Sequence, residues 1–264
     1  MSEKDDFFVG YLASPASLTR LFKVVFPLLV LVALGIAAWF ASGQKSAGQG
    51  VWDLSVQKEV SGYLTVDPYP VLHFVGENSK SVILVQQGKK SAAAMSAPFA
   101  DKWVSVSGYA IDRGDWSMLE LTTSSVFKEV VGGASTNIDT TSLGPVSLQG
   151  KIIDSKCFLG VMKPGYGKVH RACAAMCLRG GMPPMLVVKN ANGEQFGYML
   201  MHKNGESASL DLVDRVVVPV KLSGQLEKRG DMLYVRYEKQ TVIPLVANEL
   251  TEYGDVLAST NQHQ

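Results

Sequence analysis

The sequence predicts a mainly β chain: one N-terminal transmembrane helix, then two small β-barrels in tandem, the second with an inserted helix bearing cysteine and histidine. Three observations lead there. An uncharged apolar run, Val24 to Ala41, stands near the start. Short segments of alternating polarity, separated by turn formers, fill most of the chain beyond it. The order of those segments in the first half recurs in the second, and repeats are sought before a fold is assigned.

The apolar run reads VVFPLLVLVALGIAAWFA. Its residues, at about 1.5 Å each, come close to spanning a hydrocarbon core of roughly 30 Å. Leu21 and Phe22 can extend it, Arg20 and Lys23 flank its start, and Trp39 near its end suits an interface. Pro27 is placed in the first turn, where a missing N–H costs little. A cleaved signal peptide with a small-residue site at Ala41-Ser42-Gly43 is the alternative. The preceding stretch holds Glu3, Asp5 and Asp6, unlike a short basic leader, so an uncleaved anchor is favoured. With Arg20 and Lys23 on its amino side, the positive-inside rule puts residues 1–23 in the cytoplasm. The expected location is a bacterial inner membrane, crossed once by residues 24–41, with the remaining domains periplasmic.

Residues 42–51 read as a linker. Val60 to Val66 alternates and precedes the Pro68/Pro70 break; Val71 to Val75 and Ser81 to Val85 are further short runs. Trp103 to Gly108 alternates, and Trp116 to Leu121 comes after the turn Asp112-Arg-Gly-Asp115. In the second half Val146 to Ile153, Met185 to Val188 and Gly197 to Met201 take the same places, with Asn190-Ala-Asn-Gly193 as a turn. Val216 to Gly224 matches Trp103 to Gly108, final glycine included. Lys228-Arg-Gly-Asp231 repeats the tight turn before Met232 to Tyr237. Four or five short strands per unit must close or stack to bury one face each, and a five-stranded Greek-key barrel of the OB type satisfies this. The units are expected at 52–130 and 146–246, joined by 131–145 and succeeded by a polar tail, 247–264. A single β-sandwich of all the strands is the competing architecture.

Composition excludes some functions. Net charge is +1 and lysine and arginine form no long runs, so a nucleic-acid surface is not indicated. No Ser/His/Asp arrangement, paired-carboxylate motif, phosphate loop or dinucleotide fingerprint stands in the chain, and a role as an enzyme is not indicated.

All three cysteines fall between residues 157 and 177, together with His170. Cys157 comes just after the strand ending in Ile153, in a segment with no counterpart in the first unit beyond Asp67-Pro-Tyr-Pro70. Residues 168–179 (KVHRACAAMCLR) favour a helix, which Gly180-Gly181 ends and Pro183-Pro184 stops from continuing. At about 100° per residue, His170, Cys173 and Cys177 fall on one face of it. Cys157 can supply a fourth ligand. Such a set suits tetrahedral zinc, a [2Fe-2S] or other small iron–sulfur cluster, or copper(I). A disulfide between Cys157 and a helix cysteine is the main alternative in an oxidising compartment, and a reactive thiol beside His170 is the other. Asp154 reads as a cap of the turn after the strand, with partnership to His170 as the alternative. Met176, Met182 and Met185 read as packing or turn-flanking residues rather than copper ligands, and His73 and His202 as isolated structural histidines. Tyr166 and Lys168 read as loop residues.

The pattern Gly150-x-Ile-x-Asp154-x-x-Cys157, then His170-x-x-Cys173-Ala-x-x-Cys177 and Gly181, resembles one in small bacterial OB-like domains, secreted or membrane-anchored. The resemblance covers about 100 residues of the second unit and implies a fold and a location, but no activity. An anchor carrying an external barrel also resembles the layout of periplasmic haem chaperones, whose His-x-x-x-Tyr motif is absent here. The expected function is a membrane-anchored metal- or cluster-binding protein, serving a larger membrane redox complex as an accessory, assembly or electron-transfer subunit. A structural scaffold with a disulfide staple is the alternative, and a thiol oxidoreductase the third reading.

Overall fold

The computed structural model describes residues 15–43, 50–74, 80–132, 138–190 and 194–245. The N-terminal stretch 1–14, most of the linker, the turn at 191–193 and the C-terminal tail lie outside these. The chain divides into two units, Met1–Ser46 and Ala47–Gln264.

In the first unit, α1 spans Ala16–Gly43. Within it, Leu18–Ser42 is long and apolar enough to cross a membrane, a property a signal sequence near an N-terminus shares. The helix begins well before the apolar run. Thr19 donates to the Pro15 carbonyl through both its backbone N–H (2.9 Å) and its hydroxyl (3.1 Å), which starts the turn upstream. Pro27 therefore lies inside the helix, not in its first turn, and offers no N–H to the Lys23 carbonyl. Apolar membrane helices tolerate such a position.

The second unit holds two closed five-stranded barrels. The first is built from β1 (Val51–Thr65), β2 (Val71–His73), β3 (Ser81–Gln86), β5 (Lys102–Arg113) and β6 (Trp116–Leu121). Short β4 (Lys90–Ser91) pairs with β3, helical turn α2 (Ala93–Ser96) comes next, and β7 (Lys128–Glu129) pairs with β5. The ring runs β1-β2-β3-β6-β5 and back to β1, with β3 and β6 parallel and the other pairs antiparallel. The second barrel uses β8 (Thr140–Asp154), β9 (Pro184–Lys189), β10 (Gln195–His202), β11 (Pro219–Arg229) and β12 (Met232–Pro244). Its ring runs β8-β9-β10-β12-β11, with β10 and β12 parallel. Both barrels thus close along one path, and the repeat seen in the sequence is a repeat of topology rather than a single sandwich.

Several strand limits differ from expectation: β1 starts at Val51 rather than Val60, and β12 runs on to Pro244. β8 starts at Thr140, inside the stretch read as linker, because residues 140–145 pair with Gln225 to Arg229 on β11. β11 starts at Pro219 rather than Val216, since Val217 takes a positive φ of 65° that breaks the extended chain. Gly108 and Gly224 do not end their strands. They lie mid-strand, where neighbouring backbones come close. A Cβ on Gly108 would stand 2.6 Å from the Glu120 carbonyl oxygen, and one on Gly224 2.3 Å from that of Arg236. This matched pair lets the fourth strand of each ring coil against the fifth.

Each barrel encloses its own core: Leu64, Leu72, Leu84, Val104 and Leu119 in the first, Leu148, Ile152, Leu186, Leu200 and Val235 in the second. A third core draws on both. Ile83 and Val85 of β3, Ile111 of β5, Met185 and Val187 of β9, Met199 and Met201 of β10 and Tyr234 of β12 all belong to it. Alternate residues of β3, β9 and β10 therefore serve a barrel interior and the shared core, so these strands are buried on both faces. That explains their near-continuous apolar runs, SVILV and PMLVV. Cys157, Phe158, Leu159, Cys177 and Met182 sit in the same shared core.

Gly108→Ala forces a methyl group against rigid backbone, not against a side chain that can move. We expect a loss of about 1–3 kcal/mol, read as a lower denaturant midpoint with an unchanged slope.

Candidate metal centre

The connection from β8 to β9, residues 155–183, carries the site; the matching connection in the first barrel is only residues 66–70. It contains a wide helical turn, Cys157–Val161, a tighter turn at Lys168–His170, and α3, Arg171–Arg179. The helix ends as its sequence requires. Gly181 takes a positive φ of 83°, its N–H donates to the Leu178 carbonyl (2.9 Å), and the Met182 N–H donates to that of Cys177 (3.0 Å). This paired closure satisfies the last carbonyls of α3 and fixes the turn bearing Cys177. His170 stands just ahead of α3 rather than within it.

Asp154, at the end of β8, is fully buried and uses both carboxylate oxygens. One accepts the Cys157 N–H at 2.9 Å; the other lies 3.0 Å from His170 Nε2. It therefore both caps the turn and orients the imidazole. With Nε2 held by a carboxylate, Nδ1 is the ring nitrogen able to bind an ion, the arrangement common to metal-ligating histidines.

The three cysteines are free thiols. Cys157 Sγ and Cys177 Sγ are 3.8 Å apart. Candidate ligand atoms of Cys157, His170 and Cys173 all lie within 4.8 Å of one another, as do those of Asp154, Cys157 and Cys177. The structure thus brings together all four residues expected from the sequence, with Cys157 common to both groups. Cys157, Cys177 and His170 are buried and Cys173 is half-buried, so the site opens to solvent on the Cys173 side.

Sequence reasoning missed two participants. Lys89, in the hairpin between β3 and β4 of the first barrel, places Nζ 2.8 Å from Cys173 Sγ and 3.4 Å from Cys177 Sγ. Lys156, one residue before Cys157, is buried and bonds Glu120 Oε1 of β6 at 2.5 Å and the carbonyls of Gln86 and Gly88, each at 2.8 Å. Lys89 lies 84 positions from Cys173 and leaves no local signal. Lys156 stood inside the motif, where it read as a spacer between Asp154 and Cys157.

The electrostatics separate the two close thiols. The hydrogen bond between them, then burial and the Asp154 charge, push the Cys157 thiol well above its ordinary range. The same bond, helped by Lys89 and opposed by burial, holds Cys177 below it. Burial works against the Lys89 ammonium, but its bonds and attraction to Cys173 and Cys177 win and raise its pKa. Of the pair, Cys177 is the more readily ionised thiol.

The remaining expectations resolve simply. Met182 and Met185 are fully buried in the shared core, whereas Met176 is exposed, its sulfur 3.7 Å from Arg179, so it is not a packing residue. Tyr166 meets Phe158 edge-on at 6.4 Å, and Lys168 is exposed. Arg113 stacks on Phe158 at 4.0 Å and donates to its carbonyl at 2.7 Å, a further tie from the first barrel. His73 is a core histidine, with Nδ1 2.9 Å from the Ser81 hydroxyl and Nε2 3.0 Å from that of Thr65. His202 pairs with Asp211 at 3.2 Å. Set against protein-family models, curated proteins and solved structures, the chain matches nothing.

Lys156→Met alone leaves Glu120 buried without its cation, and should cost about 3–5 kcal/mol in a denaturation experiment. The double variant Lys156→Met/Glu120→Leu should recover most of that. Burial lowers the pKa of His73 from 6.5 to about 4. Between those values the unfolded chain binds the proton that the fold refuses. The His73 contribution is thus complete above pH about 6.5 and falls as pH drops, by about 3 kcal/mol on reaching pH 4. His73→Gln, measured across that range, should show a shallower decline than the native chain.

Proposed function

We propose that this chain is a membrane-anchored, extracytoplasmic protein in which Cys157, His170, Cys173 and Cys177 hold one soft-ligand metal ion, with zinc the best fit. The observation that carries the reading is the sulfur spacing. Two sulfurs bound to one zinc at about 2.3 Å, at the tetrahedral angle, stand about 3.8 Å apart. Cys157 and Cys177 are separated by 3.8 Å, against about 2.05 Å for a disulfide. Compactness supports a single ion over a two-iron cluster. Terminal ligands shared between two irons stand farther apart than ligands on one ion, whereas the candidate ligand atoms of Cys157, His170 and Cys173 all lie within 4.8 Å of one another. The carboxylate behind His170 and the burial of three of the four ligands are what a pre-organised site requires.

The strand path of both barrels, with its parallel pairing of third and fifth strands, supports the OB type. Leu18–Ser42 serves as an uncleaved anchor, and Arg20 and Lys23 at its amino end support a cytoplasmic N-terminus. The location is then a bacterial inner membrane with the barrels in the periplasm. A soft-ligand site tethered beside a bilayer suits an accessory or assembly subunit of a larger membrane redox complex.

The test is elemental analysis of the full chain, purified in detergent without added reductant or oxidant, together with the charge-transfer absorption of its cobalt-substituted form. One ion per chain is expected, with thiolate-to-cobalt bands lost in Cys157→Ser and Cys177→Ser. Asp154→Asn should bind about ten- to hundredfold more weakly. A metal-free chain with Cys157 and Cys177 joined, seen as a mass two hydrogens lighter by about 2 Da, would sink the reading in favour of a disulfide-stapled scaffold.

A further inference from the structure

If the site holds a metal, the charge it must tolerate is large. Three thiolates and the Asp154 carboxylate contribute four negative charges, and a divalent ion balances two. Uncompensated charge in a largely buried site is costly, so a cation is required nearby. Lys156 does not meet the need, because Glu120 already neutralises it. Lys89 does. Its ammonium touches two ligand sulfurs and also donates to the Cys173 carbonyl at 3.3 Å.

Lys89 is not held there by reach alone. The hairpin that carries it is pressed onto the end of α3. The Ser91 N–H donates to the Gly180 carbonyl at 2.8 Å, and a Cβ on Gly180 would fall 1.6 Å from the Lys89 carbonyl oxygen. From the other side, Lys156 Nζ ties the carbonyls of Gln86 and Gly88 to the segment bearing Cys157. The same short hairpin thus gives the site a cation and receives two fixings from it.

Resting on the metal reading above, we propose that the centre is shared by both barrels: Lys89 of the first barrel is the positioning counter-charge of the metal thiolates, and a bound divalent ion locks the β3–β4 hairpin onto the cysteine helix. The coupling is reciprocal. Loss of the Lys89 charge weakens metal binding, and loss of metal frees the hairpin.

The experiment uses the full chain in detergent and zinc itself, competed against a chromophoric chelator. Lys89→Gln should bind zinc about ten- to hundredfold more weakly, the range for a group that supports metal ligands. Lys89→Arg, which keeps charge and N–H donors, should restore most of the affinity. Lys90→Gln, at the neighbouring exposed lysine, should change nothing. Hydrogen exchange at the Ser91 amide should slow when zinc is added to the native chain, and slow much less in Lys89→Gln. Native affinity in Lys89→Gln, or equal weakening in Lys90→Gln, overturns the shared centre while leaving a metal site standing. No zinc binding by the native chain overturns the metal reading, and the shared centre with it.

Discussion

The constraint on which the second unit depends is the need to cover the outer faces of its barrels. A five-stranded ring buries one face of each strand by closing. Strands β3, β9 and β10 carry apolar residues on the other face as well, and each barrel alone would leave Ile83, Val85, Met185, Met199 and Met201 in water. They are covered by a core neither barrel owns. Tyr69 shows how tightly the two are joined: from the first barrel, its hydroxyl donates to the Leu200 carbonyl at 2.7 Å and accepts the Ala208 N–H at 2.9 Å. Burial then pushes that phenol up to about 12. Such polar ties matter because an unpaired buried group costs more than the bond contributes.

The cysteine segment belongs to this shared core, which gives it two roles. The first barrel closes its ring with a connection of a few residues, so closure does not explain the long connection in the second. Covering explains part of it: Phe158, Leu159 and Met182 fill the shared core and present no ligand. Covering does not explain three thiols. Leucine or valine packs as well at a buried position, and a fully buried carboxylate bound to an imidazole contributes nothing that packing needs. The segment is therefore a cover that also gathers residues able to hold a metal ion. Its candidate ligands come from a helical turn just after β8, from α3 and from the residue that leads into α3, supports more precise than a free loop.

Much of this was legible in the sequence because it is local or periodic. The strand order repeats with period-two patterning and matched turns. Gly181 announces the end of α3, because only a residue without a Cβ takes that backbone conformation at little cost. Four candidate ligand residues close in sequence also end close in space. The features that could not be read are non-local. Lys89 meets Cys173 only because two barrels dock, and Lys156 is buried against Glu120 of β6, a partner far away in the chain. The start of β8 was hidden because Gly144-Pro145 looks like a break, yet β11 supplies partners on both sides of it. Pro27 was misplaced because apolarity marks what a membrane accepts, not where a helix begins.

The surrounding charge favours a metal over a disulfide. A disulfide is neutral. Forming one from Cys157 and Cys177 would leave Lys89 beside one remaining thiol, and Asp154 buried beside two sulfurs that hold no cation to balance it. The same groups around a cation form a consistent set. Asp154 orients the imidazole and caps the turn, Cys177 is the more readily ionised thiol, and Lys89 offsets one of the two excess negative charges at the solvent-facing edge. Every charged group at the site then has a reason to be charged. That mutual consistency marks a sequence whose local choices agree with one another, and a staple would leave it unexplained.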